Sequence, residues 1–203
     1  MVKSRLTRIV LIAAIACCVA PSAVDAAPAH KQDELLTATW KTVLETPDAE
    51  NPFGSGGLDF ACIDLGHALT PFGPNGVESC TLKTGTALFV IGSSVECSSF
   101  EGAGTTDTEL RQCAREGDLA LAPSVTFQGH ALRLTEVETP LVEATAPAGN
   151  LFGMPAGTTG TFVAHGWVAL LNPLPPGDYE VTIDDGTKPP ITTSITVRPG
   201  HKR

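Results

Sequence analysis

The chain has 203 residues and a formal net charge of −9, and this length suits a single domain. Hydrophobic residues make up 42% and charged residues 17%, so the composition supports a folded core and excludes a disordered chain. An acidic chain lacks the surplus of Lys and Arg that phosphate contacts need, which argues against nucleic acid as a partner.

The first 26 residues have the pattern of an export signal. Three basic residues precede an apolar run over residues 9–20, which is shorter than the run of about 20 that spans a bilayer. We predict cleavage after Ala26, with Ala29 as the second choice. Cleavage after Ala26 removes three basic residues and one acidic residue, which changes the net charge from −9 to −11.

A lipid anchor is the alternative to free secretion. Residues 14–17 loosely resemble a lipobox, and Cys17 would then carry the lipid. No later segment has the length and apolar character of a transmembrane anchor. We therefore predict a secreted, extracellular protein, with lipid anchoring through Cys17 as the alternative.

Four cysteines follow the signal, at Cys62, Cys80, Cys97 and Cys113. An even number in an exported chain indicates disulfides, each worth about 3 kcal/mol. Three pairings are possible, and the sequential one closes two loops of similar size. Zinc sites and redox pairs place cysteines a few residues apart, and these are too widely spaced for either.

The mature chain is predicted to begin with a flexible leader over residues 27–32. A helix then starts at Asp33, which can cap it, and ends before Pro47. Its apolar residues recur at helical spacing at Leu36, Trp40, Val43 and Leu44. The glycine-rich segment 51–57 is predicted to be a loop.

Strand patterns dominate the rest of the chain. A second helix is predicted over residues 107–116, with Thr106 and Glu109 forming a capping box. We predict about eight strands, with candidates at residues 79–82, 86–91, 125–127, 131–134, 141–144, 161–164, 166–171, 178–183 and 193–197.

Short turns between consecutive strands favour antiparallel pairing, and Gln128-Gly-His130 is typical of a tight hairpin. The predicted fold is mainly β, an antiparallel β-sandwich of immunoglobulin-like or jelly-roll kind. Residues 33–198 form its single domain, the two short helices cover an edge or close one end, and residues 199–203 are a polar tail.

Several segments together resemble a group of uncharacterised secreted bacterial proteins. The matching segments are Cys80-Thr-Leu-Lys-Thr-Gly-Thr-Ala-Leu-Phe89, Asn150-Leu-Phe-Gly-Met-Pro-Ala-Gly157, Val163-Ala-His-Gly-Trp-Val168 and Leu170-Leu-Asn-Pro-Leu-Pro-Pro-Gly-Asp-Tyr179. Members of the group usually carry Asp where His165 stands and Pro where Lys83 stands. The resemblance implies export and a β-rich fold, and it implies no activity.

The candidate binding residues are His130, His165 and Trp167. No histidine stands at a metal-binding spacing, and the cysteines are assigned to disulfides, so no metal or cofactor is predicted. The turn at 184–186 can hold calcium, but such a turn needs no metal. Trp40 and Trp167 can stack on sugars, although both fit a core position.

No catalytic residue is assigned, because neither Ser55 nor Ser93 stands in a Gly-x-Ser-x-Gly motif. The leading hypothesis is a non-catalytic module that binds an unknown extracellular or envelope ligand. One alternative is an extracellular hydrolase that uses His165 or His130 with nearby acids. Another is a purely structural surface protein.

Overall fold

A computed structural model describes residues 29–74 and 76–199, with the side chains of residues 29, 30 and 58 left out. The predicted signal over 1–26, the alternative anchor Cys17, residues 27–28 of the leader and 200–203 of the tail lie outside the described residues.

Two α-helices and eleven strands make up the described chain. The helices are α1 (Ala29–Leu44) and α2 (Asp107–Leu119). Short 3₁₀ turns span Asp48–Glu50 and Gly57–Phe60. The strands are β1 (Cys62–Asp64), β2 (Ala68–Pro71), β3 (Ser79–Lys83), β4 (Ala87–Ser98), β5 (Ser124–Phe127), β6 (His130–Ala131), β7 (Thr135–Glu138), β8 (Val142–Thr145), β9 (Thr159–Leu171), β10 (Gly177–Asp184) and β11 (Ile191–Arg198).

The strands form two sheets that pack face to face, which confirms the predicted β-sandwich. The first sheet has the order β1-β2-β4-β9-β7, and β8 also pairs with β9. The second has the order β3-β11-β10-β5-β6. Most strand pairs are antiparallel, as predicted, but β2 pairs with β4 and β3 with β11 in parallel. In each parallel pair, the two strands are not consecutive in the chain. Short turns between consecutive strands therefore could not predict their pairing.

The first sheet is the central layer of the molecule. Alternate residues of β9 face α1, among them Phe162, Ala164 and Leu170, and pack with the helix into one core. On the opposite face, Val163 packs under α2 and Leu171 packs against the second sheet. The two helices therefore cover opposite faces of this sheet, which corrects the prediction that they cover an edge or an end.

Helix α1 begins at Ala29, four residues before the predicted start at Asp33. Gln32 is buried and continues the inward-facing stripe by one helical turn before Leu36. The Asp33 carboxylate accepts a hydrogen bond from the Glu34 backbone, inside the helix. Residues 29–32 are thus helical, which corrects the boundary of the predicted leader.

Helix α2 starts as predicted and runs to Leu119, three residues past the predicted end. The capping box is confirmed: the Thr106 hydroxyl accepts from the Glu109 amide, and the Glu109 carboxylate accepts from the Thr106 amide. A Cβ added at Gly117 would lie 2.9 Å from Cγ1 of Val95, so this glycine lets α2 lie close to β4. The extra turn brings Asp118 into the interior.

The strand prediction differs from the structure mainly in length. Strand β4 continues to Ser98, well past the predicted end at residue 91, and the candidates at 161–164 and 166–171 form the single strand β9. Gly166 allows this continuity, since an added Cβ would lie 2.9 Å from the Ser93 carbonyl oxygen. Strands β1, β2 and β7 were not predicted.

The four predicted disulfide cysteines form two bridges in sequential pairing. Cys62–Cys80 joins β1 of the first sheet to β3 of the second, and Cys97–Cys113 joins β4 to α2. Each bridge thus connects two layers of the fold. Within residues 29–74 and 76–199, no helix is long and apolar enough to cross a membrane.

Candidate functional site

The second half of β4 carries polar side chains to both faces of the first sheet. A register shift between Ile91 and Ser93 marks an irregularity in the pairing of β4 with β9. After it, Ser93 faces α2 and Ser94 faces α1, and the alternation continues with Val95 and Glu96. Two polar groupings of different character result, one on each face.

The grouping under α2 is a buried polar cluster of Ser93, Asp118, His165 and Glu136. Asp118 is fully buried, and its two carboxylate oxygens contact Ser93 Oγ at 2.7 Å and His165 Nδ1 at 2.7 Å. His165 Nε2 lies 3.0 Å from Oε1 of Glu136. The cluster therefore ties α2, β4, β7 and β9 together.

The order of contacts in this cluster differs from that of a hydrolytic triad. The Ser93 hydroxyl donates to Asp118, so it makes no contact with the base that would have to take its proton. Both nitrogens of His165 face carboxylates, and both can donate only when the ring is an imidazolium. His165 is 2% exposed and lines none of the described clefts, so its side chain serves to link β9 with α2 and β7.

The three candidate binding residues do not come together. His130 is exposed at the β5–β6 hairpin of the second sheet, where Phe127 pairs with it. His165 is interior to the first sheet. Trp167 is partly buried on β9 opposite Ser93, and its buried indole nitrogen has no hydrogen-bond partner among the described residues.

The turn at 184–186 holds its own carboxylates. Asp184 accepts from the Gly186 amide, and Asp185 accepts from the amide and hydroxyl of Thr187. The bonds from Thr187 lower the pKa of Asp185. Three or more metal-ligating side chains are not grouped anywhere in the described part of the chain. Both carboxylates therefore accept hydrogen bonds from residues of the same turn, as aspartates in turns commonly do.

The grouping on the α1 face opens into a cleft of about 520 Å³, which we call the aromatic cleft. Its lining comes from α1, the loop after it, β4, the loop after β4 and the loop before β9: Trp40, Val43, Leu44, Phe53, Ser94, Val95, Glu96, Glu101, Leu151 and Phe152. Trp40 Nε1 donates to Ser94 Oγ at 2.9 Å, which in turn donates to the His165 carbonyl at 2.8 Å. The tryptophan is therefore held in one orientation.

Aromatic packing supports the walls of the cleft. Trp40 packs against Phe53 with ring centroids 5.5 Å apart, and Phe72 meets it edge-on at 5.1 Å. On the other side Phe152 stacks on Phe100 at 5.4 Å. Because these rings support one another, the cleft exists before any ligand arrives.

Two carboxyl groups lie in the cleft. The pKa of Glu96 rises from 4.5 to about 8, mainly because burial disfavours its charged form and then because Glu101 is close. The side chain of Ser98 partly offsets this rise in pKa. Glu96 Oε1 is a buried acceptor with no partner among the described residues. The cleft thus contains an acceptor that nothing in the described chain satisfies.

Sequence reasoning did not identify this cleft. Trp40 is in the core, as predicted, and it also lines the cleft. The predicted strand ends at residue 91, before Glu96. The alternation of Ser94, Glu96 and Ser98 after that strand was the available signal, because it continues the period of two. The contributions of Leu151 and Phe152 had no local signal, since they reach the cleft through the tertiary fold.

Comparisons with known proteins do not indicate a function for this site. No family model matches the chain, and no curated protein matches it. Among solved structures, the chain is similar to the cysteine protease inhibitor EhICP2 from Entamoeba histolytica, at 13% identity and a TM-score of 0.26, over 65% of this chain and 95% of that one. A likeness this weak carries no argument about function.

Proposed function

We propose that the chain is a secreted, non-catalytic module that binds a small ligand in the aromatic cleft. The observation that carries the proposal is the cleft itself, which is supported by packed rings and is lined by Glu96, one of whose carboxyl oxygens has no partner among the described residues. The export signal of the sequence and the two disulfides support an extracellular location.

The dimensions and lining of the cleft suit a small molecule. Sites for such ligands have volumes of about 300–1,000 Å³, apolar walls and a few polar groups, and this cleft of about 520 Å³ falls within that range. Three aromatic side chains, Trp40, Phe53 and Phe152, supply flat surface, while Ser94 and the two glutamates supply the polar contacts.

The contacts of the buried polar cluster favour binding over hydrolysis. A hydrolase that used His165 would need its free nitrogen beside a hydroxyl in a cleft, whereas Nδ1 contacts the buried carboxylate of Asp118 and Nε2 the half-exposed one of Glu136.

The test uses the neutral apolar dye N-phenyl-1-naphthylamine, which tryptophan can excite by energy transfer. The chain has two tryptophans, so Trp167→Phe leaves Trp40 as the sole donor, inside the cleft. We expect dye addition to quench Trp40 emission and to enhance dye emission, saturably and with one site per chain.

A matched pair of leucine variants locates the dye. Leu151→Arg places a long charged side chain in the cleft and is expected to abolish energy transfer. Leu119→Arg makes the same change at an exposed position on α2 and is expected to leave it intact. Absence of saturable transfer, or equal loss in both folded variants, would contradict the proposed binding site.

The hydrolase alternative has a separate test. If hydrolysis depended on the buried polar cluster, the protein would cleave p-nitrophenyl acetate above the buffer rate and His165→Gln would remove that activity. We expect no enzyme-dependent rate in either protein, because the Ser93 hydroxyl is bonded to Asp118 rather than to His165.

A further inference from the structure

We propose that the aromatic cleft selects a small organic cation, an ammonium group on an aromatic or apolar body, whose charge is received by Glu96 and Glu101. This inference rests on the proposed binding function and specifies the chemical class of its ligand. Charge complementarity carries it, together with the unsatisfied acceptor and the aromatic walls.

The charge of the cleft has one sign. Of its ten lining residues, Glu96 and Glu101 are the ones that can be charged, and the others are apolar, aromatic or the hydroxyl residue Ser94. Lys41 of α1 contacts Glu45 and the Glu143 carbonyl, and it is not among the lining residues. Any charge in the lining is therefore negative, which disfavours an anionic ligand and favours a cationic one.

One carboxyl oxygen of the cleft lacks a hydrogen-bond partner among the described residues. This oxygen is Glu96 Oε1, and a buried acceptor without a donor costs free energy. Glu101 accepts a long contact of 3.5 Å from the Ser98 hydroxyl and also interacts with Glu96. An ammonium group carries three donors and no acceptor, so it matches this set, whereas a second acceptor would not.

The aromatic walls favour the same ligand. A cation near the face of tryptophan or phenylalanine gains electrostatic attraction, and more so when it is shielded from water. Trp40 and Phe53 line the cleft from the α1 side and Phe152 from the loop before β9. The ligand body can pack on these rings while its ammonium group reaches Glu96.

Binding of a cation is linked to a proton. The pKa of about 8 leaves Glu96 mostly protonated at pH 7 in the free protein, and a bound ammonium stabilises the carboxylate instead. The neighbouring carboxyl of Glu101 faces it from the loop after β4, and the side chains from α1, Phe53, Leu151 and Phe152 are uncharged. Binding below pH 8 must therefore release a proton, and affinity must rise with pH up to about 8.

The test compares three probes of one shape: 2-phenylethylamine, 2-phenylethanol and 3-phenylpropanoate, which are cationic, neutral and anionic at pH 7. Calorimetric titration of the wild-type protein is expected to show the amine binding about tenfold or more tightly than the alcohol, the scale of a charge-assisted hydrogen bond. The anion is expected not to bind. The amine should release protons, seen as a heat that depends on the ionisation enthalpy of the buffer.

Two isosteric variants complete the design. Glu96→Gln keeps the shape of the side chain and is expected to lose the preference for the amine and the proton release, while keeping alcohol binding. Glu143→Gln changes an exposed carboxylate outside the cleft and is expected to behave as wild type. Glu101→Gln provides a second removal of charge if Glu96→Gln does not fold.

The outcomes separate the two proposals. Equal affinity for amine and alcohol, or an amine preference that survives Glu96→Gln with no proton release, overturns the cation inference and leaves the cleft as a binding site. Loss of both probes together with failure of the neutral dye overturns the proposed function as well.

Discussion

The buried polar cluster and the aromatic cleft share strand β4, yet their polar groups are in opposite states. Ser93 and Glu96 are three residues apart on β4 and point to opposite faces of one sheet. In the cluster, both oxygens of Asp118 and both nitrogens of His165 have partners. In the cleft, Oε1 of the partly buried Glu96 has no partner among the described residues.

This difference separates a structural use of buried charge from a binding use. A charge whose partners all come from the fold stabilises the arrangement of the elements that supply them. A carboxyl whose partner is missing costs stability and favours a ligand that supplies a donor. The two sites are connected, because Ser94 accepts from Trp40 in the cleft and donates to the backbone of His165.

The largest expected effect is on the cluster. Asp118→Ala leaves His165 and Ser93 buried without their common partner, and should lower the free energy of unfolding by about 3–5 kcal/mol, measured by urea denaturation. Glu136→Ala removes a half-exposed carboxylate and should cost at most about 1 kcal/mol. Equal costs would show that the interior contact is not the dominant one.

The second expected effect concerns the disulfide that fixes α2 over the cluster. The double variant Cys97→Ser with Cys113→Ser should lose about 3 kcal/mol of unfolding free energy, as a closed loop of this size predicts. Thiol titration of a denatured, unreduced chain that starts at residue 27 should find no free cysteine. Four reactive thiols would contradict both bridges.

The carboxyl of Glu96 in the cleft should make the free energy of unfolding depend on pH. The pKa of Glu96 is raised in the folded protein, so unfolding releases a proton between pH 4.5 and about 8, and stability falls as the pH rises through this window. The slope from one proton cannot exceed about 1.4 kcal/mol per pH unit. Below pH 4.5 the carboxyl is protonated in both states and this loss is absent.

Glu96→Gln should remove that slope, so the variant should gain on wild type as the pH increases from 5 to 8. Urea denaturation at both pH values measures the difference, and Glu143→Gln serves as the exposed control. A wild-type protein that becomes more stable relative to Glu96→Gln as the pH rises would contradict the assignment of Glu96.

The smallest expected effect is at the start of α2. Thr106→Ala removes the side chain that caps the helix and should cost about 1 kcal/mol of unfolding free energy. Amide hydrogen exchange should increase in the first turn of α2 and remain slow at Asp118, where the buried contacts hold the helix. Uniformly faster exchange along α2 would show that the cluster does not anchor its end.

Local patterns in the sequence predicted the elements whose causes are local. The capping box at Thr106 and Glu109 identified the start of α2, and the turn at Gln128 identified the β5–β6 hairpin. Alternation and continuous apolar runs identified the main strands of both sheets. The boundaries failed where long-range contacts decide them, as at the start of α1 and the end of β4.

The candidate site was harder to predict than the fold. His165 was recognised as a residue of interest, but its partners Asp118 and Glu136 lie 47 and 29 residues away in the chain. The aromatic cleft combines side chains from Trp40 to Phe152, and no local period connects them. Sequence patterns could therefore identify individual residues of interest, but they could not predict which of them lie close together in the fold.

The sequence by itself determined a chain with an export-signal pattern, an even set of cysteines and enough alternating strands for two packed sheets, because these features depend on composition and short-range periodicity. Only the tertiary structure decided that β4 is shared by an interior cluster and an open cleft. The physical reason is that a side chain's protonation, partners and access to solvent are set by the elements packed against it, and these come from distant parts of the chain.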